Sequence, residues 1–216
     1  MLIRIGIIAS TNGSVYRTAC RLPYVRERIA IVVSDRECGA TQFAAQIGHE
    51  TQIVPHRGGE LFSDAVLDLL VASQIDLAIS FYTRLFRGRL LDAYEGRLVN
   101  FHPSILPAAA GTDGFGDTIR SGSRFIGSTV HLVDAGIDTG LPVLQAAVPN
   151  DPSVSLVRRR HIVFLQQCKS LVQIVRWYEE GRVRSDGGQV LVDGARYEPS
   201  EFSPNLDFAE ALEFSA

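Results

Sequence analysis

Apolar residues recur along the first half of the chain in short, β-branched runs separated by stretches of helical spacing. We interpret residues 2–9, 29–34, 51–54 and 75–80 as buried strands, with helices at 15–21, 40–47 and 61–72. Continuous apolar runs are typical of strands covered on both faces. Alternation of strand and helix favours parallel pairing with right-handed crossovers. The pattern therefore predicts an α/β fold around a single doubly wound, mostly parallel sheet.

The second half continues the alternation and ends in an antiparallel extension. Further strands are predicted to end near residue 102 and to span 129–133 and 142–148, followed by a long helix that begins after residue 153 and ends near Gly181. Residues 189–197 are typical of a small hairpin or edge ribbon. We expect a catalytic domain at 1–197 and a tail at 198–216. The acidic, weakly amphipathic end of that tail suits a lid, a packing arm or disorder.

Composition narrows the function classes. The chain has 216 residues, 46% of them hydrophobic, and a formal net charge of −3, so nothing in the charge favours a nucleic-acid or membrane partner. Three cysteines stand far apart without a paired motif, which argues against zinc and disulfide frameworks. No apolar run reaches membrane-spanning length. We expect a soluble, cytoplasmic protein without a metal.

Two polar side chains stand at the end of the strand that finishes near residue 102. Asn100 and His102 are two residues apart, so on a strand they leave the same face. Pro103 then interrupts the ladder. Strand ends of open α/β sheets are where ligand sites form, so an amide and an imidazole are expected side by side at a functional edge.

A second polar segment follows the predicted strand at 129–133. It carries Asp134 and Asp138 among glycines, and such loops suit close approach to a ligand. If the loop folds beside His102, Asp138 completes a set of amide, imidazole and carboxylate. That set suits proton movement and oxyanion stabilisation at a carbonyl without a metal or a covalent nucleophile. His131 is interpreted as a hydrogen-bonded sheet histidine, and Ser104 is not interpreted as a nucleophile.

These motifs resemble the folate-dependent formyltransferase family, most closely its glycinamide ribonucleotide branch. The matching features are the run from Asn100 to Pro107, the strand from Thr129 to Val133, and Asp138-x-Gly140 before Leu144-Gln145. The resemblance implies a Rossmann-like sheet and formyl transfer from 10-formyltetrahydrofolate to an amine through a tetrahedral intermediate. Asn100, His102 and Asp138 would be catalytic. The enzyme would act as a monomer or homodimer in one-carbon metabolism and purine biosynthesis.

The resemblance also implies binding residues. The folate would contact Arg84, Leu85, Phe86, Gly136, Ile137 and Gly140. The substrate, including its phosphate, would contact Asn12, Gly13, Ser14 and Gln167.

Three positions depart from the family pattern. Val15 replaces a polar Asn, Asp113 takes the approximate place of a His, and Gln167 replaces a Glu that binds substrate hydroxyls. We therefore predict poor use of glycinamide ribonucleotide relative to another amine, such as an amino-sugar. Two further alternatives stay open, a formyltetrahydrofolate hydrolase and a non-catalytic folate-binding module. The hydrolases of the family usually carry an added N-terminal regulatory domain, and the intact catalytic set argues against the module.

Overall fold

Ten strands and eight helices are formed by the residues that the structure describes. The strands are β1 (Ile5–Ala9), β2 (Ile29–Ser34), β3 (Glu50–Ile53), β4 (Leu77–Phe81), β5 (Leu98–His102), β6 (Phe125–Leu132), β7 (Pro142–Pro149), β8 (Val183–Asp186), β9 (Gln189–Val192) and β10 (Phe202–Ser203). The helices are α1 (Ser14–Ala19), α2 (Pro23–Arg26), α3 (Gly39–Gln46), α4 (Gly59–Ala72), α5 (Arg89–Ala93), α6 (Gly114–Arg120), α7 (Leu156–Glu179) and α8 (Ala209–Glu213).

The computed structural model describes residues 2–186 and 188–215. Met1, Gly187 and Ala216, which belong to the predicted domain and tail, lie outside the described residues. Eight strands form one sheet in the order β10-β7-β6-β5-β4-β1-β2-β3, and β8 pairs with β9 in a separate antiparallel hairpin. The predicted α/β class with a mostly parallel sheet is confirmed. Within the described ranges, no helix is both long and apolar enough to span a membrane.

The first compact unit comprises Met1–Asn100 and Leu132–Gly136. In it β1 pairs in parallel with β2 and β4, β2 with β3, and β4 with β5. Every residue of β1 is buried, as the continuous apolar run predicted. The core contains Phe62 and Leu70 from α4, which pack with Ile31 of β2 and Tyr94. This packing holds α4 against the sheet.

The second unit comprises Phe101–His131 and Ile137–Ala216. Its strands β6, β7 and β10 pair antiparallel. The tail packs on α7: the side-chain carbonyl of Gln173 accepts from the main-chain amides of Asp207 (2.8 Å) and Phe208 (3.0 Å), and Arg182 pairs with Asp207 at 2.7 Å. Of the three interpretations of the tail, the described part is a packing arm. The domain boundary at 197 stays a prediction.

Two short helices were not predicted from the sequence. α2 begins with Pro23, which suits a first helical position, and α5 follows Gly88 at φ 60°. Neither is longer than five residues, which is too short for a helical apolar stripe to emerge.

Candidate active site

The turn after β5 is held by two residues of the neighbouring antiparallel pair. The Thr129 hydroxyl donates to the Ser104 carbonyl (2.8 Å) and accepts from the Leu106 amide (3.0 Å). The Gln145 side chain donates to the Leu106 carbonyl (2.8 Å) and to the Thr129 hydroxyl (3.1 Å). These motif positions therefore fix the course of the chain immediately after His102.

Ser104 supports the same turn. Its side chain is fully buried, and its hydroxyl donates to the Ala108 carbonyl at 2.8 Å and to the Ala109 carbonyl at 3.2 Å. A hydroxyl that donates to main-chain carbonyls stabilises the local turn.

His102 is enclosed by the loop that follows it. Its side chain is 5% exposed, and Nε2 donates to the Ala109 carbonyl at 2.8 Å. Ala109 has φ 53°, a left-handed conformation that is costly for a residue with a Cβ. Gly114 leaves room for the ring, because a Cβ there would lie 2.8 Å from Cε1 of His102. The loop is thus built around the imidazole.

Asp138 lies between two imidazoles. Its Oδ2 is 3.4 Å from Nδ1 of His102 and accepts from the Gly111 amide at 2.8 Å, and its Oδ1 is 3.5 Å from Nε2 of His131. Asp138 has φ 52°, so this side chain is presented from a left-handed backbone. Residues held in that region by their surroundings cluster at functional sites.

The electrostatics of Asp138 keep it ionised. Burial by itself raises the pKa of the carboxyl. The hydrogen bond with His131, the Gly111 amide and the electrostatic interaction with the His102 and His131 rings oppose burial, and the pKa of Asp138 falls below its ordinary value. Since Nε2 of His102 already donates to a carbonyl, the imidazolium form satisfies both ring nitrogens by donating towards this carboxylate from Nδ1.

His131 has a closer connection to the site than the sequence indicated. It is a buried histidine of β6 (3% exposed), as expected for a sheet residue, but its Nε2 also faces the carboxylate of Asp138. The available signal was the seven-residue interval to Asp138 across a glycine-containing loop. The two-residue alternation of a strand does not reveal that the loop after β6 brings Asp138 back beside His131.

Asn100 belongs to the first unit, two residues before His102 on β5, and is half-buried. The strand alternation places its side chain on the same face of β5 as that of His102.

In the first unit, the predicted folate segment is tied to the loop after β6. The Arg87 guanidinium donates to the Ala135 carbonyl at 2.6 Å, and the Arg87 amide donates to Ser63 at 2.9 Å. Phe86 is buried (3% exposed) and Leu85 half-buried. The link through Arg87 brings residues 84–86 and Gly136 towards each other, and nothing in the sequence pattern had singled out that arginine.

The remaining folate candidates are on the second unit. Ile137 is 58% exposed and Gly140 is half-buried.

The predicted phosphate loop forms the start of α1. Gly13 has φ 59° and a Cβ there would lie 2.7 Å from Cβ of Ala40, so both the conformation and the space require glycine. Asn12 and Ser14 are exposed, whereas Val15 is buried at 7% exposure. Val15 is therefore a core residue.

The Asp113 side chain has a hydrogen-bond partner and an ion-pair partner within the neighbouring helix α6. It caps α6 by accepting from the Gly116 amide (3.3 Å) and pairs with Arg120 at 2.7 Å. The Arg120 hydrogen bond is the main cause that holds the Asp113 pKa below its ordinary value. The charge of Asp113 is therefore partly offset by Arg120, which also pairs with Asp117 at 2.6 Å. Gln167 is half-buried on α7.

Among the described residues, no group of three histidine, cysteine or acidic side chains is arranged to hold a metal ion.

Known proteins resemble this chain over most of its length. A family model described as "Formyl transferase" matches residues 4–173. A phosphoribosylglycinamide formyltransferase of Mycobacterium tuberculosis strain H37Rv is 34% identical over 152 residues, covering 68% of this chain and 71% of the relative. The enzyme of that name from Haemophilus influenzae is 28% identical over 199 residues, with 88% and 94% covered. A crystal structure of glycinamide ribonucleotide transformylase 1 from Symbiobacterium toebii has a TM-score of 0.80 at 31% identity, with 88% and 94% covered.

Proposed function

Because the chain belongs to the formyl transferase family, we propose that it transfers a formyl group from 10-formyltetrahydrofolate to a small amine. The predicted enzyme class is confirmed, and the chain is a formyltransferase similar to phosphoribosylglycinamide formyltransferases. The observation that carries the proposal is the Asp138 carboxylate, held in a left-handed conformation between His102 and His131. The folate donor, the monomeric or dimeric state and the cytoplasmic setting stay predictions.

In the proposed reaction the amine nitrogen bonds to the formyl carbon and the bond from that carbon to N10 of the folate breaks. One proton leaves the amine and one reaches N10. His102 and Asn100 donate hydrogen bonds to the oxygen that gains charge during the attack, and each such donor contributes about 3 kcal/mol to lowering the barrier. Asp138 orients the imidazole and stabilises its protonated form.

The structure adds a condition to this role. Nε2 of His102 is already bonded to the Ala109 carbonyl. An oxyanion can accept from Nε2 only if it takes the place of that carbonyl. The Ala109 carbonyl must therefore move away from His102 when substrate binds. The left-handed conformation of Ala109 is strained, so the free-energy cost of this movement is lowered.

The folate contacts are proposed for Arg84, Leu85, Phe86, Gly136, Ile137 and Gly140. Asn12, Gly13, Ser14 and Gln167 are proposed for the acceptor. The support is the half-buried Leu85 and buried Phe86 on the first unit, and the exposed Asn12 and Ser14 at the start of α1. The catalytic domain is taken as 1–197, with 198–216 as its tail.

Hydrolysis of the same donor and passive folate binding are the competing functions. A water molecule could replace the amine at the same imidazole and carboxylate. A product assay with and without amine separates the three possibilities. Transfer gives formylated amine only when amine is present, hydrolysis gives formate without it, and a binding module gives neither product.

The acceptor can be tested with glycinamide ribonucleotide itself. Of the three departures from the family pattern, Asp113 is ion-paired with Arg120, and the other two, Val15 and Gln167, each remove a contact expected for this substrate. Losing two contacts predicts a KM raised roughly tenfold to a hundredfold. Gln167→Glu should lower that KM several-fold if the acceptor carries ribose hydroxyls, while the matched change Gln167→Ala should not. A micromolar KM in the parent would show that the substitutions are neutral.

A further inference from the structure

A tyrosine in the first unit has a buried hydroxyl without a hydrogen-bond partner. Tyr82 follows β4 and is 7% exposed, and its hydroxyl oxygen has no partner among the described residues. Burying a hydroxyl without a partner is costly, and the phenyl ring of Phe would fill almost the same space. The orphan hydroxyl therefore calls for a function beyond packing.

The ring of Tyr82 is held firmly, so the missing partner is not a consequence of loose packing. It stacks on Phe62 with ring centroids 4.6 Å apart, and it contacts Phe86 in a tilted arrangement with centroids 5.2 Å apart. Its amide donates to the Ser80 hydroxyl at 3.2 Å, and the next amide, that of Thr83, donates to Ser10 at 3.2 Å. These contacts fix where the hydroxyl lies before any ligand arrives.

Charged groups that follow β2 and β4 act electrostatically on this hydroxyl. Burial raises the pKa of Tyr82 to about 12, with a further rise from Asp35 and opposing effects of Arg84 and Arg36. The hydroxyl is therefore a neutral donor near neutral pH. Each Asp35 oxygen accepts from Arg36, at 2.9 and 2.6 Å, so this acid is already neutralised.

Arg84 gives the neighbourhood its remaining positive charge. It is exposed, and its Nη1 donates to Nδ1 of His56 at 2.9 Å. Because the acceptor of this bond is an imidazole and not a carboxylate, the bond does not neutralise the guanidinium charge. A neutral donor beside an uncompensated guanidinium suits a negatively charged oxygen.

We propose that the Tyr82 hydroxyl is a specificity-determining donor that binds an anionic oxygen, carboxylate or phosphate, of one of the two substrates. The inference rests on the proposed function, because it needs a folate donor and an amine acceptor. The folate supplies carboxylates at its glutamate end, and a phosphorylated acceptor supplies phosphate. The ring of Tyr82 contacts that of Phe86 in the proposed folate segment, but the hydroxyl would donate in the same way to either anion.

The test is Tyr82→Phe, with Tyr94→Phe as its matched control. Tyr94 is also buried (2% exposed), but its hydroxyl donates to the Ile75 carbonyl at 3.0 Å. Without ligand, Tyr82→Phe should keep or raise the melting temperature, whereas Tyr94→Phe should lower it. With ligand, Tyr82→Phe should raise one substrate's KM by about tenfold to a hundredfold, as expected for a lost hydrogen bond to a charged group. Tyr94→Phe should change neither KM.

The source of the anion follows from two arms of the experiment. A folate lacking its glutamate should bind parent and Tyr82→Phe equally if the oxygen is a folate carboxylate. A non-phosphorylated acceptor should bind parent and Tyr82→Phe equally if the oxygen belongs to a phosphate. Parent-like KM values for both substrates in an active Tyr82→Phe variant would overturn the inference.

Failure of the proposed function looks different. It would appear as a parent protein that yields no formylated amine. Thermal shifts caused by tetrahydrofolate and by inorganic phosphate can be measured without turnover. They therefore compare ligand binding by the parent and by Tyr82→Phe even if the parent is inactive. Equal shifts for parent and variant with both probes would refute the role of Tyr82.

Discussion

Two buried polar groups of this protein, the imidazole of His102 and the hydroxyl of Tyr82, have contrasting surroundings. His102, in the second unit, faces the Ala109 carbonyl on one side and Asp138 on the other. Tyr82, in the first unit, is fixed by stacked rings and has no hydrogen-bond partner among the described residues. The first group is already satisfied, so substrate must displace a partner. The second is unsatisfied, so substrate would supply one.

Removing the satisfied group should have the largest effect. We predict that His102→Ala lowers kcat by about a hundredfold to a thousandfold, since it removes a donor to the developing oxyanion. Folate binding should persist, because no proposed folate residue changes. Steady-state kinetics and a folate titration measure the two quantities. His161→Ala, on α7, is the control, and wild-type turnover in His102→Ala would remove His102 from the mechanism.

Crowding the imidazole should have an intermediate effect. At Gly114 an added Cβ would lie 2.8 Å from Cε1 of His102 and 3.1 Å from the Ala109 carbonyl. Gly114→Ala should therefore move the ring or the loop and lower kcat by about tenfold to a hundredfold, since small misplacements of reacting groups are costly.

Gly59→Ala in α4 is the matched control for Gly114→Ala. Its Cβ would make an ordinary contact of 3.4 Å with the Arg87 side chain. Unchanged kinetics in Gly114→Ala would mean that the loop adapts without cost and that the enclosure of His102 is not part of the mechanism.

The sequence predicted the parts of the molecule that depend on local pattern. Strand β2 and the strand end at Asn100 and His102 follow from apolar runs and two-residue alternation. The contacts of Asp138 with His131 and Gly111 arise from loop conformations, including a left-handed aspartate that no periodicity reveals. The pairing of Asp113 with Arg120 was missed for a related reason. The two residues are seven apart, and this spacing suggests a contact only once Asp113 is known to be the N-cap of α6.

The apolar wall proposed for the folate can be tested in the first unit. Leu85→Asp should weaken binding of tetrahydrofolate analogues by about tenfold or more, because a carboxylate would be desolvated against the bound ring. Leu61→Asp, at a leucine that is 65% exposed on α4, should bind them as the parent does. Isothermal titration calorimetry measures both. Equal affinity of parent and Leu85→Asp would exclude residues 84–86 as a folate wall.

The smallest effect is expected in the acid stability of the second unit. The pKa of Asp138 is held below its ordinary value of about 3.9 by contacts that exist only in the fold. A depressed pKa contributes stability that is present above the unfolded value and is lost as the pH falls through the folded value.

Asp138→Asn resembles the protonated form, so it should already lack this contribution. The difference in melting temperature between parent and Asp138→Asn should therefore be largest near pH 5 and shrink as the pH falls below the unfolded value of about 3.9. Thermal unfolding followed by circular dichroism from pH 5.5 to 2.5 measures it. Asp92→Asn, at an exposed carboxylate of α5, reports the general effect of acid. A difference that stays constant below pH 4 would show that Asp138 stabilises the fold by its shape rather than its charge. The contrast between His102 and Tyr82 would then rest on their hydrogen bonds alone.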